Sequence, residues 1–291
     1  MNRLHHLIRP LVAAAIALSA LGVHAQTPAP APAMIAVDGH QVQASIIGSG
    51  RYTVIFESGF GTDLRAWRKV APELAGSARV LSYSRAGHGA SAARSEPRTL
   101  LQSSLELDQL IAAAGLRPPF ILVGHSYGAL LMRAFAARHP QAVAGMVLID
   151  PSDERFAPAL RQLDAARVDA DDVKFDSIVP PKFKPELGLL KPVLDSGVFP
   201  VAGKLPDVPV VVLTSMQPVD KAEFFLETPA AREVLRGLHA SFAQQFRSGS
   251  QVVTINSGHS IQLEEPALVV QAINKVIAEA DSRTAPATAQ R

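Results

Sequence analysis

Residues 120–140 read FILVGHSYGALLMRAFAARHP, and the fold class turns on this stretch. Four apolar residues, Phe120 to Val123, run into Gly124-His125-Ser126-Tyr127-Gly128. Ala129 to Arg138 then follow, with Leu131, Ala134 and Phe135 at helical spacing. The order is strand, tight turn, helix. A serine at the tip of such a turn occupies a backbone conformation that only small neighbours permit, and here Gly124 and Gly128 flank it. Its hydroxyl then stands clear of a sheet, beside the positive end of a helix dipole. That is a placement for a nucleophile. A bare G-x-S-x-G string arises by chance in many chains, and the strand before it and helix after it supply the meaning.

Upstream the same alternation holds. Met34 to Val37 and Gln41 to Ile47 are β-prone runs joined through Asp38-Gly39, a dipeptide suited to the positive φ of a hairpin turn. Tyr52 to Phe56 reads as a third strand opening into Glu57-Ser58-Gly59-Phe60-Gly61, and the next segment sets Trp67, Val70 and Leu74 on one helical face. Arg79 to Tyr83 is a fourth strand, running into the turn-rich Ser84-Arg85-Ala86-Gly87-His88-Gly89-Ala90-Ser91. Thr99 and Gln102 match a capping box for a helix carrying Leu107, Leu110, Ile111 and Ala114, which Gly115 and Pro118 end.

Downstream, Gly145 to Ile149 is a sixth strand with Asp150 at its end. Between Pro151 and Asp207, Pro and Lys increase and only Phe156 to Val168 suggests a helix, so the sequence predicts a largely irregular insertion covering the site. Pro209 to Thr214 resumes the sheet, a helix is predicted over Ala222 to Phe246, and Gln251 to Ile255 is an eighth strand. The last helix starts near Pro266 and buries Val269, Ile273, Val276 and Ile277; after Ala280 the composition predicts a disordered tail over 281–291. Strands alternating with helices imply an α/β class, a mostly parallel sheet covered on both faces. Ligands in such sheets bind beyond the carboxyl ends of the strands, and Ser58 to Gly61, Ser126, Asp150 and His259 all follow predicted strands.

With 291 residues, 48% of them hydrophobic and 19% charged, the chain has the means for one large domain, here 34–280 with the insertion at 151–207. Arg3 and Arg9 precede the apolar run Leu11 to Val23, and Val23-His24-Ala25 has the small-x-small form of a signal peptidase site. Residues 1–25 thus read as a signal peptide cleaved near Ala25, which implies export to the periplasm or beyond; 26–33, rich in Pro and Ala, read as a flexible lead-in. An uncleaved anchor is the alternative, but the run is short for a bilayer crossing. Cleavage removes two of the 28 basic residues and none of the 26 acidic ones, leaving a formally neutral chain with no basic stripe for nucleic acid. No cysteine is present, which excludes disulfides and thiolate metal sites, and no metal or organic cofactor is called for.

Four elements together resemble the α/β-hydrolase superfamily: Gly124-His125-Ser126-Tyr127-Gly128, Ser58-Gly59-Phe60-Gly61, Ser84-Arg85-Ala86-Gly87-His88-Gly89-Ala90-Ser91, and Gly258-His259 followed by Glu264-Glu265-Pro266. The resemblance implies an α/β-hydrolase fold, with an eight-stranded, mostly parallel sheet, helices on both faces and a cap insertion after strand six. A serine needs a base, and the base a third group to hold its tautomer. His259, after the last strand, fits as base for Ser126, whereas His88, His125 and His139 read as a loop residue, the variable elbow position and a helix end. The acid is open between Asp150, favoured, and Asp220, with Asp153 and Asp207 as outside candidates. By resemblance the oxyanion donors are the backbone amides of Phe60 and Tyr127. Ser58 stands where relatives often carry His, and Glu57 reads as a solvated or locally paired residue at a strand end, with a pocket carboxylate as the alternative.

The implied activity is an exported serine hydrolase acting on a small-molecule carboxylic ester or lactone through an acyl-enzyme. Relatives with an Asp nucleophile, epoxide hydrolases and haloalkane dehalogenases, are disfavoured because position 126 is Ser. Cofactor-free haloperoxidases and C–C bond hydrolases remain alternatives. So does a non-catalytic ligand-binding protein on this fold. Leu187, Leu189, Leu190, Val193, Leu194 and Phe199 in the insertion read either as cap core or as a contact to a lipid surface.

Overall fold

Asp38 and Gly39 take φ of 46° and 76°, and so fold β1 (Ala33–Val37) back antiparallel onto β2 (His40–Ile47). A computed structural model describes residues 31–95 and 98–284 of the chain. From the hairpin the sheet continues through β3 (Thr53–Glu57), the short helix α1 (Ala71–Leu74), β4 (Arg79–Tyr83) and α2 (Leu100–Ala113). The centre is built by β5 (Phe120–His125), α3 (Tyr127–Arg138) and β6 (Val143–Ile149), followed by α4 (Phe156–Ile178) and α5 (Lys184–Ser196). The rest comprises β7 (Val210–Ser215), α6 (Pro229–Ala243), β8 (Gly249–Thr254), α7 (Ile261–Glu264) and α8 (Pro266–Thr284). The eight strands lie in the order β1-β2-β4-β3-β5-β6-β7-β8, with only β1/β2 and β2/β4 antiparallel.

The two-residue period of the central strands divides the core into two layers. Phe120 and Leu122 of β5, Met146 and Leu148 of β6, and Val210 and Val212 of β7 face α2, α3 and α6, meeting Leu107, Leu110, Met132, Phe135 and Phe242. The residues between them, Ile121 and Val123, Val147 and Ile149, Val211 and Leu213, face Trp67, Leu74, Val269, Ile273 and Val276. A strand apolar at every position is what a sheet covered on both sides requires.

The predicted capping box forms: Gln102 N donates to Thr99 Oγ1 at 3.2 Å and Thr99 N to Gln102 Oε1 at 3.3 Å. Other expectations need correction. The helix expected around Trp67 is two pieces, a 3-10 turn at Leu64–Trp67 and α1, although Trp67, Val70 and Leu74 are all fully buried as one face. Pro72, which has no amide proton, stands in the first turn of the second piece. The helix predicted from Ala222 begins only at Pro229, where Thr228 Oγ1 accepts the Ala231 amide.

The largest correction concerns the insertion, which is mostly helical. Pro185 occupies the first turn of α5, where proline is tolerated, and Gly197 ends it in the left-handed conformation with φ 70°. Leu187 and Leu190 are buried, and Leu190, Val193, Leu194 and Phe199 pack on Tyr127, Leu130 and Leu131 of α3. In the tail, residues 281–284 continue α8, and Asp281 accepts from Arg51 Nη1 at 2.7 Å and the Tyr52 hydroxyl at 2.8 Å. The expected signal peptide, lead-in residues 26–30 and tail residues 285–291 lie outside the described residues.

Candidate active site

Ser126 sits between the end of β5 and the start of α3 with φ 52° and ψ −121°, a conformation costly for any residue with a Cβ. The flanking glycines permit the turn through space rather than through their own dihedrals. A Cβ on Gly128 would lie 2.4 Å from the Glu57 carbonyl oxygen, and one on Gly124 would lie 2.7 Å from the Gly128 carbonyl oxygen. Both obstacles are backbone. Gly128→Ala should therefore push α3 off the end of β3, costing about 3 kcal/mol by overpacking. The expected result is a thermal midpoint lowered by several degrees, and an unchanged melt would show that the elbow is looser than its contacts imply.

Asp150, at the end of β6, also has positive φ, 39°. Its carboxylate is wholly buried and accepts from the Ser215 amide at 3.0 Å through Oδ1 and from His259 Nδ1 at 2.7 Å through Oδ2. Burial alone would raise its pKa. The hydrogen bond and charge of His259, the field of His239 and the Ser215 amide outweigh that and hold it below the ordinary range. The other carboxylates point elsewhere. Asp220 is exposed, Asp153 pairs with Arg155 at 2.6 Å, and Asp207 pairs with Arg247 at 3.1 Å.

His259 arrives on the loop after β8, and three groups fix that loop. Ser215 Oγ donates to the Ser257 carbonyl at 2.7 Å, Glu265 Oε2 accepts from Ser257 Oγ at 2.5 Å, and Glu264 Oε2 accepts from the Gly258 amide at 2.8 Å. His125 adds a fourth tie that sequence reasoning missed. Its Nε2–H donates to the His259 carbonyl at 2.8 Å, and the two rings lie 4.7 Å apart. Burial, then the neighbouring His259, pushes the His125 imidazole down to about 3, so it is neutral at physiological pH. The ring of His259 is about half exposed, and among the described residues no hydrogen bond joins it to Ser126.

On the other side of the elbow lies the loop after β3. A Cβ on Gly59 would sit 2.9 Å from His125 Nδ1 and 3.4 Å from the Ser126 Cβ, so the loop's backbone abuts the serine directly. Among the described residues neither the Phe60 nor the Tyr127 amide donates to a protein acceptor, and Tyr127 is the first residue of α3, whose first amides have no partner within the helix. Ser58 Oγ accepts from Trp67 Nε1 at 2.9 Å and donates to the Asp63 carbonyl at 3.0 Å, which supplies the loop's support without a histidine.

Glu57 is buried rather than solvated, and its cationic partner is distant in sequence rather than local. It is buried at the end of β3, bonded to Arg85 Nη1 at 2.7 Å and to the Tyr83 hydroxyl. Arg85 Nε reaches Glu186 Oε1 of α5 at 3.0 Å, and His88 Nε2 lies 3.2 Å from Glu186 Oε2. Glu186 is pushed up by burial but held down, to about 2, chiefly by the Arg85 charge and then by His88. A carboxylate depressed in the fold stabilises it fully above the ordinary carboxylate range, and that stabilisation is lost as pH falls toward 2. Melts of the wild type should accordingly fall in midpoint between pH 5 and pH 3. Glu186→Gln should melt lower at pH 7 and fall less steeply, and parallel curves would show that Glu186 does not carry this dependence.

Aromatic rings from the insertion close over the loop. Phe183 lies 6.0 Å and Phe175 6.3 Å from Phe60, ring centre to ring centre, and Phe183 also stacks on His88 at 5.0 Å. Among the described residues no cluster of three or more His, Cys, Asp or Glu side chains could hold a metal ion.

A family model described as alpha/beta hydrolase fold matches residues 52–179. The structure titled Est816 as an N-acyl homoserine lactone degrading enzyme superposes with a TM-score of 0.59 at 18% identity, covering 84% of this chain and 99% of that one. The chain has the α/β-hydrolase fold. The uncharacterized protein YqjL of Bacillus subtilis (strain 168) is 27% identical over 247 residues, covering 82% of this chain and 88% of its own length. An AB hydrolase superfamily protein of Gibberella zeae is 37% identical over 129 residues, 41% of this chain and 40% of its own. This match thus spans less than half of the fungal relative. Fold and relatives together support hydrolase activity.

Proposed function

We propose that this α/β hydrolase is an exported serine hydrolase that cleaves a carboxylic ester or lactone through an acyl-enzyme. What supports this reading is a serine at a strained elbow whose chain neighbour His125 packs ring to ring, 4.7 Å apart, with a histidine whose Nδ1 is tied to a buried carboxylate. In the proposed reaction Ser126 Oγ attacks the carbonyl carbon while His259 Nε2 takes its proton. Asp150 fixes the hydrogen on Nδ1 and stabilises the imidazolium that forms. The oxyanion points at the Phe60 and Tyr127 amides, whose dipoles are already oriented before charge develops. His259 then protonates the leaving alkoxide, and water repeats the sequence in reverse to free Ser126.

The phenyl rings of Phe175 and Phe183 pack around Phe60, and in this reading they line the acyl side of the site with apolar surface and favour an acyl group of short or medium length. Export rests on residues 1–25, which read as a signal peptide. The deciding experiment is labelling with an aryl phosphonate followed by a panel of aryl esters of increasing acyl length. The reading predicts stoichiometric labelling at Ser126 and a maximum at short or medium chains. Folded protein that leaves Ser126 unlabelled would refute it.

A further inference from the structure

Arg85 lies in the loop after β4 and has no part in the proton transfers above, yet its guanidinium is buried among the elements that would form the oxyanion hole. Nη1 donates to the Ser58 carbonyl at 2.6 Å and Nη2 to the Gly59 carbonyl at 2.9 Å. Its plane also lies over the Tyr127 ring, 5.1 Å from the centre. One side chain therefore touches the loop that carries one proposed donor and the residue that carries the other.

Building on the serine hydrolase reading, we infer that Arg85 is the positioning residue of the oxyanion hole, aiming the Phe60 amide by holding the Gly59 carbonyl. The reason is the peptide plane. Gly59 C=O and Phe60 N–H belong to one trans peptide unit, in which the two bonds point in opposite directions. Pinning the carbonyl toward Arg85 turns the amide hydrogen away from it, on the peptide whose glycine abuts Ser126. Glycine at 59 and 61 leaves the loop free to rotate, and Gly61 has φ 68°. The fixing has to come from outside the loop. Thr62 shares the Gly59 carbonyl through its amide at 3.3 Å and hydroxyl at 2.9 Å, but Thr62 moves with the loop whereas Arg85 is anchored elsewhere. The anchors are Glu57 at 2.7 Å and Glu186 at 3.0 Å, which occupy Nη1 and Nε and leave the fork one orientation. Lysine, with a single ammonium, reaches only part of this set.

The test compares an aryl ester with its thionoester, whose sulfur is a larger and weaker acceptor for the same two amides. Misfolded protein lowers both rates equally, so their ratio reports the hole alone. Arg85→Lys is expected to lower kcat on the ester about 100-fold, as loss of one oxyanion donor does, with KM changed less than threefold. The ester to thionoester ratio of kcat/KM should fall at least tenfold. The double variant Arg85→Met with Glu186→Gln, which removes the cation together with one of its carboxylates, should show the same fall if the lysine variant does not accumulate. A ratio equal to wild type in either variant overturns the inference while leaving the serine hydrolase intact. Wild type that neither turns over the ester nor takes a phosphonate removes both.

Discussion

Ser126→Ala is expected to lower kcat/KM on the best aryl ester by about 10⁴ to 10⁶, the range in which loss of a nucleophile falls when the rest of its machinery stays in place. What survives would be the contribution of the Phe60 and Tyr127 amides and of substrate binding, so KM should change little. The thermal midpoint should also stay within a few degrees, because Ser126 Oγ has no hydrogen-bond partner among the described residues and alanine keeps the Cβ that makes φ 52° costly. Ser126→Gly separates these effects. Glycine adopts that conformation without penalty, so it should gain about 1 kcal/mol of stability while being as inactive as alanine. A serine whose removal to glycine both destroys turnover and raises the melt is one held in strain for chemistry. A glycine variant no more stable than alanine would show that the elbow stores none, and an active alanine variant would move the nucleophile elsewhere.

The parts of this site that were legible in the sequence are those fixed by local rules. Gly124 and Gly128 around Ser126, Asp38-Gly39 in the hairpin and Thr99 with Gln102 at the start of α2 each act within five residues, and each takes the form its chemistry dictates. Strands apolar at every position announce a covered sheet, and a covered sheet places loop residues at one edge. The insertion was illegible for an equally local reason. The rise in Pro between 151 and 207 reads as irregular chain, whereas Pro185 stands in the first turn of α5 and Pro192 is carried inside it. The ties around the site were invisible because they are distant in the chain. Arg85 and Glu186 are 101 residues apart, and His125 and the His259 carbonyl are 134 apart; neither pair shares a periodicity that could reveal it. The pocket alternative for Glu57 ranked below a solvated or locally paired strand end because its cationic partner, Arg85, stands 28 residues on.

Asp150→Asn is the second large effect, and it decides among the carboxylates. The amide keeps the volume and one acceptor, but where its NH₂ faces His259 Nδ1 the imidazole must shift its hydrogen to Nε2, and the base loses the lone pair that takes the serine proton. A loss of about 10⁴ in kcat is expected, with Asp220→Asn within twofold of wild type because that side chain is exposed. Stability should follow a different pattern. The Asp150 carboxyl is held below its ordinary range despite burial, so it stabilises the fold above that range, and this stabilisation disappears as pH falls through its folded value. Asp150→Asn should therefore melt below wild type at pH 7, and the gap should narrow steadily on acidification. If the gap stays constant with pH, the buried carboxylate is not carrying its charge against His259. If Asp220→Asn is the variant that loses turnover, the acid comes from the β7 side of the sheet, and the hydrogen bond between Asp150 and His259 is structural.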